Sequence, residues 1–214
     1  MTATEIEDEA RGIVETAIDT VTRAGDVSAA GLAAALDGAG RALTRRVVAG
    51  AETQHRGLGD SGALARALAD RPRVPALAGA TGVAMMLRFA RRTRLGVVAR
   101  RTPAFLIAAA VPALVASVTR GADELGMVAS HLIHRTRAAG VEPDIERVRR
   151  AAVQIVGRKP VDPEVEPSHG TLALGWLRRA VRAALPFTAG VATADPEGLA
   201  ASAGAVDPTL LGPA

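Results

Sequence analysis

Apolar residues recur along this chain at intervals of three and four, and no stretch sustains the alternation that would seat a half-buried strand. The first segment sets the pattern. Ile6, Ala10, Ile13, Val14, Ala17, Ile18 and Val21 fall on one helical face, with Glu, Asp and Thr opposite. Thr4 and Glu7 have the spacing of a capping box, the early carboxylates complement the helix dipole, and Gly25 supplies a stop.

The same period predicts a second helix over 28–51, with Leu32, Leu36, Leu43 and Val47 as its apolar line. Gly38 and Gly40 each cost about 1 kcal/mol there relative to Ala, which marks the place for a kink or break. After the polar, glycine-rich stretch 53–62, Asp60 or Ser61 caps a short helix carrying Leu64 and Leu68. Past Arg120, Leu125, Val128, Leu132 and Ile133 face inward in a helix closed by Gly140. Pro143, read as a first helical position, opens another with Ile145, Val148, Ala152, Ile155 and Val156, stopped by Gly157. The stretch 159–170 holds three prolines and three acids and reads as a loop; a helix with Leu172, Trp176, Leu177, Val181 and Leu185 follows and ends at Pro186.

With 2% aromatic residues, the core has to be built from Ala, Leu, Val and Ile, so its helices must approach closely. At 214 residues and 49% hydrophobic the chain can bury a substantial core and is too apolar for global disorder. The absence of cysteine closes disulfide, thiolate-zinc and cysteine-nucleophile chemistry together. The amino terminus is acidic where an export signal is basic and then apolar, so export by that route is not expected.

Charge is distributed unevenly. Residues 71–122 carry nine Arg and no acid, whereas acids outnumber bases on both sides. Within that block lie fourteen uncharged residues, 74–87, and eighteen more, 102–119, separated by Arg88, Arg91, Arg92, Arg94, Arg100 and Arg101. This is the pattern of two apolar helices joined by a basic connection. Eighteen helical residues span about 27 Å and fourteen about 21 Å, against roughly 30 Å of membrane hydrocarbon, so shallow insertion or packing into a partner fits better than a double crossing. Lys159 is the single lysine, and the general preference for Arg is read as codon composition rather than recognition chemistry.

The chemical motifs are thin. Gly57, Gly59 and Gly62 have dinucleotide-fingerprint spacing, but that chemistry needs a strand before and a carboxylate about twenty residues after, and no acid lies between Asp70 and Asp123. His131 and His134 share a helical face with Glu124, yet no second histidine–carboxylate pair accompanies them, and they are read as surface histidines. Ser61 lacks the following glycine of a nucleophile elbow. A nucleic-acid surface would find phosphate-binding arginines here without aromatic platforms for stacking.

Residues 103–191 contain an apolar Pro-containing stretch, then Ala122-Asp-Glu-Leu125, Ala138-Ala-Gly-Val-Glu-Pro-Asp144, a helix to Gly157, and Leu185-Pro-Phe-Thr-Ala-Gly190. In this texture the chain resembles the EcsC-like helical proteins, a bacterial group found beside membranes and transporters. It departs from them in lacking an aromatic before Gly140 and in carrying Asp195-Pro-Glu-Gly198 where their glycine-rich continuation would stand. The resemblance implies helices and membrane proximity, and transfers no catalytic residue.

The expectation is an all-α bundle of about seven to eight helices with a central apolar hairpin at 74–120. Residues 1–187 form one domain and 188–214 a weakly ordered tail. Its function is non-enzymatic: the six arginines from Arg88 to Arg101 meet an anionic membrane surface or a membrane protein at the cytoplasmic face. The alternative is a soluble bundle whose Arg-rich face binds nucleic acid or a protein partner. No cofactor, metal ligand or catalytic residue is assigned.

Overall fold

The computed structural model describes residues 2–24, 29–70, 104–170, 172, 175 and 195–213. Every regular element among them is helical: α1 Ala3–Ala24, α2 Ala29–Gln54, α3 Ser61–Ala69, α4 Ala104–Ala138, α5 Ile145–Val156, α6 Pro196–Gly204 and a 3-10 turn Pro208–Leu211. A further helix opens at His169, with residues 169, 170, 172 and 175 helical.

The long helix α4 is the axis, packing against α1, α2, α3, α5, α6 and the 3-10 turn. Between Gly121 and Ile133 every residue except Asp123 is buried, the pattern of a helix surrounded on all sides. Where the sequence suggested an apolar helix to residue 119 and an amphipathic one after Arg120, a single helix of 35 residues runs for about 52 Å. Pro112 lies inside it on an exposed position. Arg120 Nε donates to Glu124 Oε1 one turn later at 3.4 Å, so that charge is accommodated without a break. Among the described residues, no helix is long and apolar enough to cross a membrane.

The amphipathic faces seat the other helices on this axis. In α1, Ile6, Ala10, Ile13, Val14, Ala17 and Val21 are buried. Its capping box is formed two residues earlier than the spacing of Thr4 and Glu7 indicated. Thr2 N–H donates to Glu5 Oε2 at 2.7 Å, and Glu5 N–H donates back to Thr2 Oγ1 at 3.3 Å. Helix α2 runs unbroken through Gly38 and Gly40, because Leu32, Leu36, Leu43 and Val47 bury the same side before and after them. Asp60 caps α3 through Ala63 N–H at 3.1 Å. Asp144, not Pro143, opens α5: its Oδ1 accepts from Glu146 N–H at 2.8 Å and Arg147 N–H at 3.1 Å.

The carboxyl-terminal stretch differs most from expectation. Residues 196–211 are not a weakly ordered tail; Leu199, Ala200, Ala203, Val206 and Leu211 are buried in the core. Asp195 caps α6 through Gly198 N–H at 2.8 Å. Arg135 on α4 donates to Ala203 O at 2.8 Å and Val206 O at 3.3 Å, tying the end of α6 and the turn after it to the axis. Asp144 N–H donates to Leu211 O at 2.7 Å.

Candidate functional site

The arginines on which the sequence reading rests, Arg88, Arg91, Arg92, Arg94, Arg100 and Arg101, lie outside the described residues. The glycine motif is placed: α2 runs to Gln54 immediately before it, so a helix stands where dinucleotide binding needs a strand. Gly57 takes a φ of +88°, which assigns it to a turn.

Of the paired histidines, His131 is fully buried rather than on the surface. The helix face that carries it is enclosed by the loop joining α2 to α3, and its Nδ1 lies 2.7 Å from Leu58 O. A carbonyl only accepts, so Nδ1 carries the proton and Nε2 keeps a buried lone pair without a hydrogen-bond partner. Burial holds this imidazole below the usual histidine range, with Arg135 and His134 acting in the same direction. Among the described residues, no three His, Asp or Glu side chains are placed to hold a metal ion.

A different polar cluster is assembled from residues that no motif or period connects. Arg149 on α5 is 3% exposed. Its Nε donates to Glu146 Oε2 at 2.8 Å, its Nη2 to both Glu166 oxygens at 2.9 Å, and its Nη1 to His169 Nε2 at 3.1 Å. Guanidinium can only donate, so His169 Nε2 is the lone-pair nitrogen and Nδ1 carries the proton. That Nδ1 is buried without a hydrogen-bond partner, 3.8 Å from Asp37 Oδ1.

Asp37 comes from α2. Its Oδ1 accepts the His169 N–H at 2.6 Å and the Gly170 N–H at 3.4 Å, capping the helix that opens at His169 from 132 residues away. Its Oδ2 accepts from Arg41 at 3.0 Å. Partial burial pulls the Asp37 carboxyl up, but Arg41 and the two amides outweigh it and hold the group below the usual carboxylate range. Gly170 is required here, since a Cβ would fall 1.8 Å from Ala33 O. The cluster is therefore a clasp among α2, α5 and the segment 159–170. The lone pair a general base would use is occupied by Arg149, and the ring is 3% exposed. The only local hints were Glu146 with Arg149 at i, i+3 on an otherwise apolar face, and Ser168 just before a predicted helix.

A cleft of about 770 Å³ lies between the end of α5 and α6. Arg158 and Lys159 line one wall, Asp195 and Asp207 the other, with Ile155, Leu199 and Val206 contributing apolar surface. Both carboxylates are engaged in caps, Asp207 through Thr209 N–H at 2.9 Å. The lining carries two basic and two acidic side chains.

No family model, curated protein or solved structure matches this chain.

Proposed function

We propose that this is a non-enzymatic helical protein whose segment 74–120 associates, at the cytoplasmic face, with an anionic membrane surface or a membrane-protein partner. Arg88, Arg91, Arg92, Arg94, Arg100 and Arg101 supply the electrostatic contacts. The observation that carries this reading is the run of nine Arg without one acid across residues 71–122, flanking two uncharged stretches. The described residues carry 15 Lys and Arg against 21 Asp and Glu, so the charge balance of the chain is split between an acidic bundle and a basic segment. Arginines of the bundle are largely matched at home, as in Arg46 with Glu9, Arg137 with Glu52, and Arg147 with Glu164. The basic segment holds no acid of its own to pair with. The sequence pattern of 74–120 and 172–185 carries the reading of seven to eight helices with a central apolar hairpin. The resemblance to the EcsC-like proteins points the same way.

A second reading is a soluble bundle whose Arg-rich face binds nucleic acid or a protein. It is favoured by Leu114, Val115 and Ser117, which are buried and so assign the end of the second apolar stretch to the bundle core. On the membrane reading, lipid or partner contact falls to the residues before them.

Co-flotation with anionic and neutral vesicles separates the two. Each Arg at an anionic surface contributes about 1 kcal/mol, so with half of six in contact, changing all six to Gln should weaken binding roughly 100-fold. Binding should also weaken with salt. Absence of flotation under every condition eliminates lipid contact and leaves a membrane-protein partner or the second reading.

A further inference from the structure

We propose that His169 is a proton-operated latch: protonating its ring releases the segment 159–170, and the helix opening at His169, from α2 and α5.

The segment is held almost entirely by side chains of α5. Arg150 donates to Pro163 O at 2.7 Å, Gln154 donates to Asp162 O at 2.7 Å, and Gln154 accepts the Asp162 N–H at 2.6 Å. Arg147 pairs with Glu164 at 3.2 Å, and Arg149 grips Glu166 through both oxygens. His169 and Gly170 fasten its far end to α2, through Asp37.

A second proton on His169 must sit on Nε2, 3.1 Å from an Arg149 nitrogen that is itself a donor. The hydrogen bond is lost, two donors face each other, and two cations share a buried site. The surroundings offer limited compensation. From α2, Asp37 faces the ring at 3.8 Å but already serves Arg41 and two backbone amides. From α5, Glu146 is bound to Arg149 Nε, and from the segment itself Glu166 is bound to Arg149 Nη2. Burial and then Arg149 accordingly keep the ring below the usual histidine range, against the pull of Asp37 and Glu166. The ring has little freedom to slide aside, because Gly170 is packed against the Ala33 carbonyl and the His169 Cβ faces Gly40. Relief comes from undocking, which uncovers the α2 line of Ala33, Asp37 and Gly40 and the apolar residues Leu36, Leu43 and Leu125, which line one slot with Leu172.

The test is amide hydrogen exchange of the intact chain from about pH 7.5 to about pH 5, corrected for the intrinsic pH dependence of exchange, with the His169→Gln variant alongside. Gln can still accept from Arg149 but does not titrate. In the native chain, protection over 159–172 should fall about ten-fold or more towards acid while α1 and α4 stay protected; in His169→Gln the segment should show no acid-dependent change. Unchanged protection in the native chain overturns the latch, as does an equal acid response in the variant or simultaneous loss in α4. If the variant does not fold, NMR titration of the His169 ring in the native chain decides the matter. Titration in step with the loss of protection supports the latch, and a ring that stays neutral while the segment opens overturns it.

Discussion

Arg149 shows how one buried charge organises a surface segment. Its guanidinium supplies hydrogen bonds to Glu146, Glu166 and His169 at once, from a position that is 3% exposed. Desolvation by burial lowers its pKa, but the attraction of Glu146 and Glu166 outweighs it and raises the pKa. Replacing Arg149 by Met should destabilise the protein by about 2–3 kcal/mol in urea denaturation. The loss stays at that level because Glu146 and Glu166 have half-exposed side chains that water can rehydrate, while the His169 lone pair is stranded. Little of this was legible in the sequence. Glu146 and Arg149 stand one turn apart, but Asp37 and His169 meet across 132 residues, and no local period encodes that meeting. The same holds for His131, whose burial depends on the α2–α3 loop folding over a helix face that looks polar in isolation.

Apart from the boundary expected at Arg120, helix ends were legible to within about three residues, and the residual errors have energetic content. Gly140 takes a φ of +76° after α4, with Gly140 N–H donating to Arg137 O and Val141 N–H to Thr136 O, a Schellman closure. The end of α5 repeats the hydrogen bonds, Arg158 N–H to Ile155 O and Lys159 N–H to Gln154 O, but the left-handed residue is Arg158 at φ +58°. Gly157, the residue read as the stop, sits one position early at φ −75°. Swapping chemistry at the two ends should therefore give opposite signs. Arg158→Gly should stabilise by up to about 1 kcal/mol and Gly140→Ala should destabilise by about 1 kcal/mol, both measured by thermal or urea unfolding. Equal signs would contradict the assignment of the left-handed position. Amphipathic faces such as that of α1 were readable because one side meets water. The unbroken course of α4 was not, because Arg120 reads as the boundary between an apolar helix and an amphipathic one until its Glu124 partner is known. The order of α6 was hidden for a similar reason, since small residues supply no periodic signal and the anchor Arg135 belongs to another helix.

At the scale of the molecule, two buried histidines make stability depend on pH in a defined direction. His131 and His169 both have folded-state pKa values below the unfolded value near 6.5, so the unfolded chain binds more protons on the acid side. Their contribution is complete above about pH 6.5 and is lost progressively as pH falls towards the folded values. Asp37 acts in a separate window: its stabilisation is present above the ordinary carboxylate pKa near 3.9 and is lost only in stronger acid. If the bundle responded as one rigid body, up to two protons would be taken up on unfolding, and stability would fall by at most about 2.7 kcal/mol per pH unit over the acid side of the histidine window. The latch changes that slope. Once the segment 159–170 undocks, His169 is solvated in the folded chain and no longer distinguishes it from the unfolded one, leaving His131 alone at no more than about 1.4 kcal/mol per unit. The surface already exposed by undocking should also lower the urea m-value across the same interval. Urea unfolding between about pH 7.5 and about pH 5 thus reads the two behaviours directly. A slope that softens together with m indicates a native state that opens locally, whereas a steep slope at constant m means that both histidines are released only when the whole bundle unfolds.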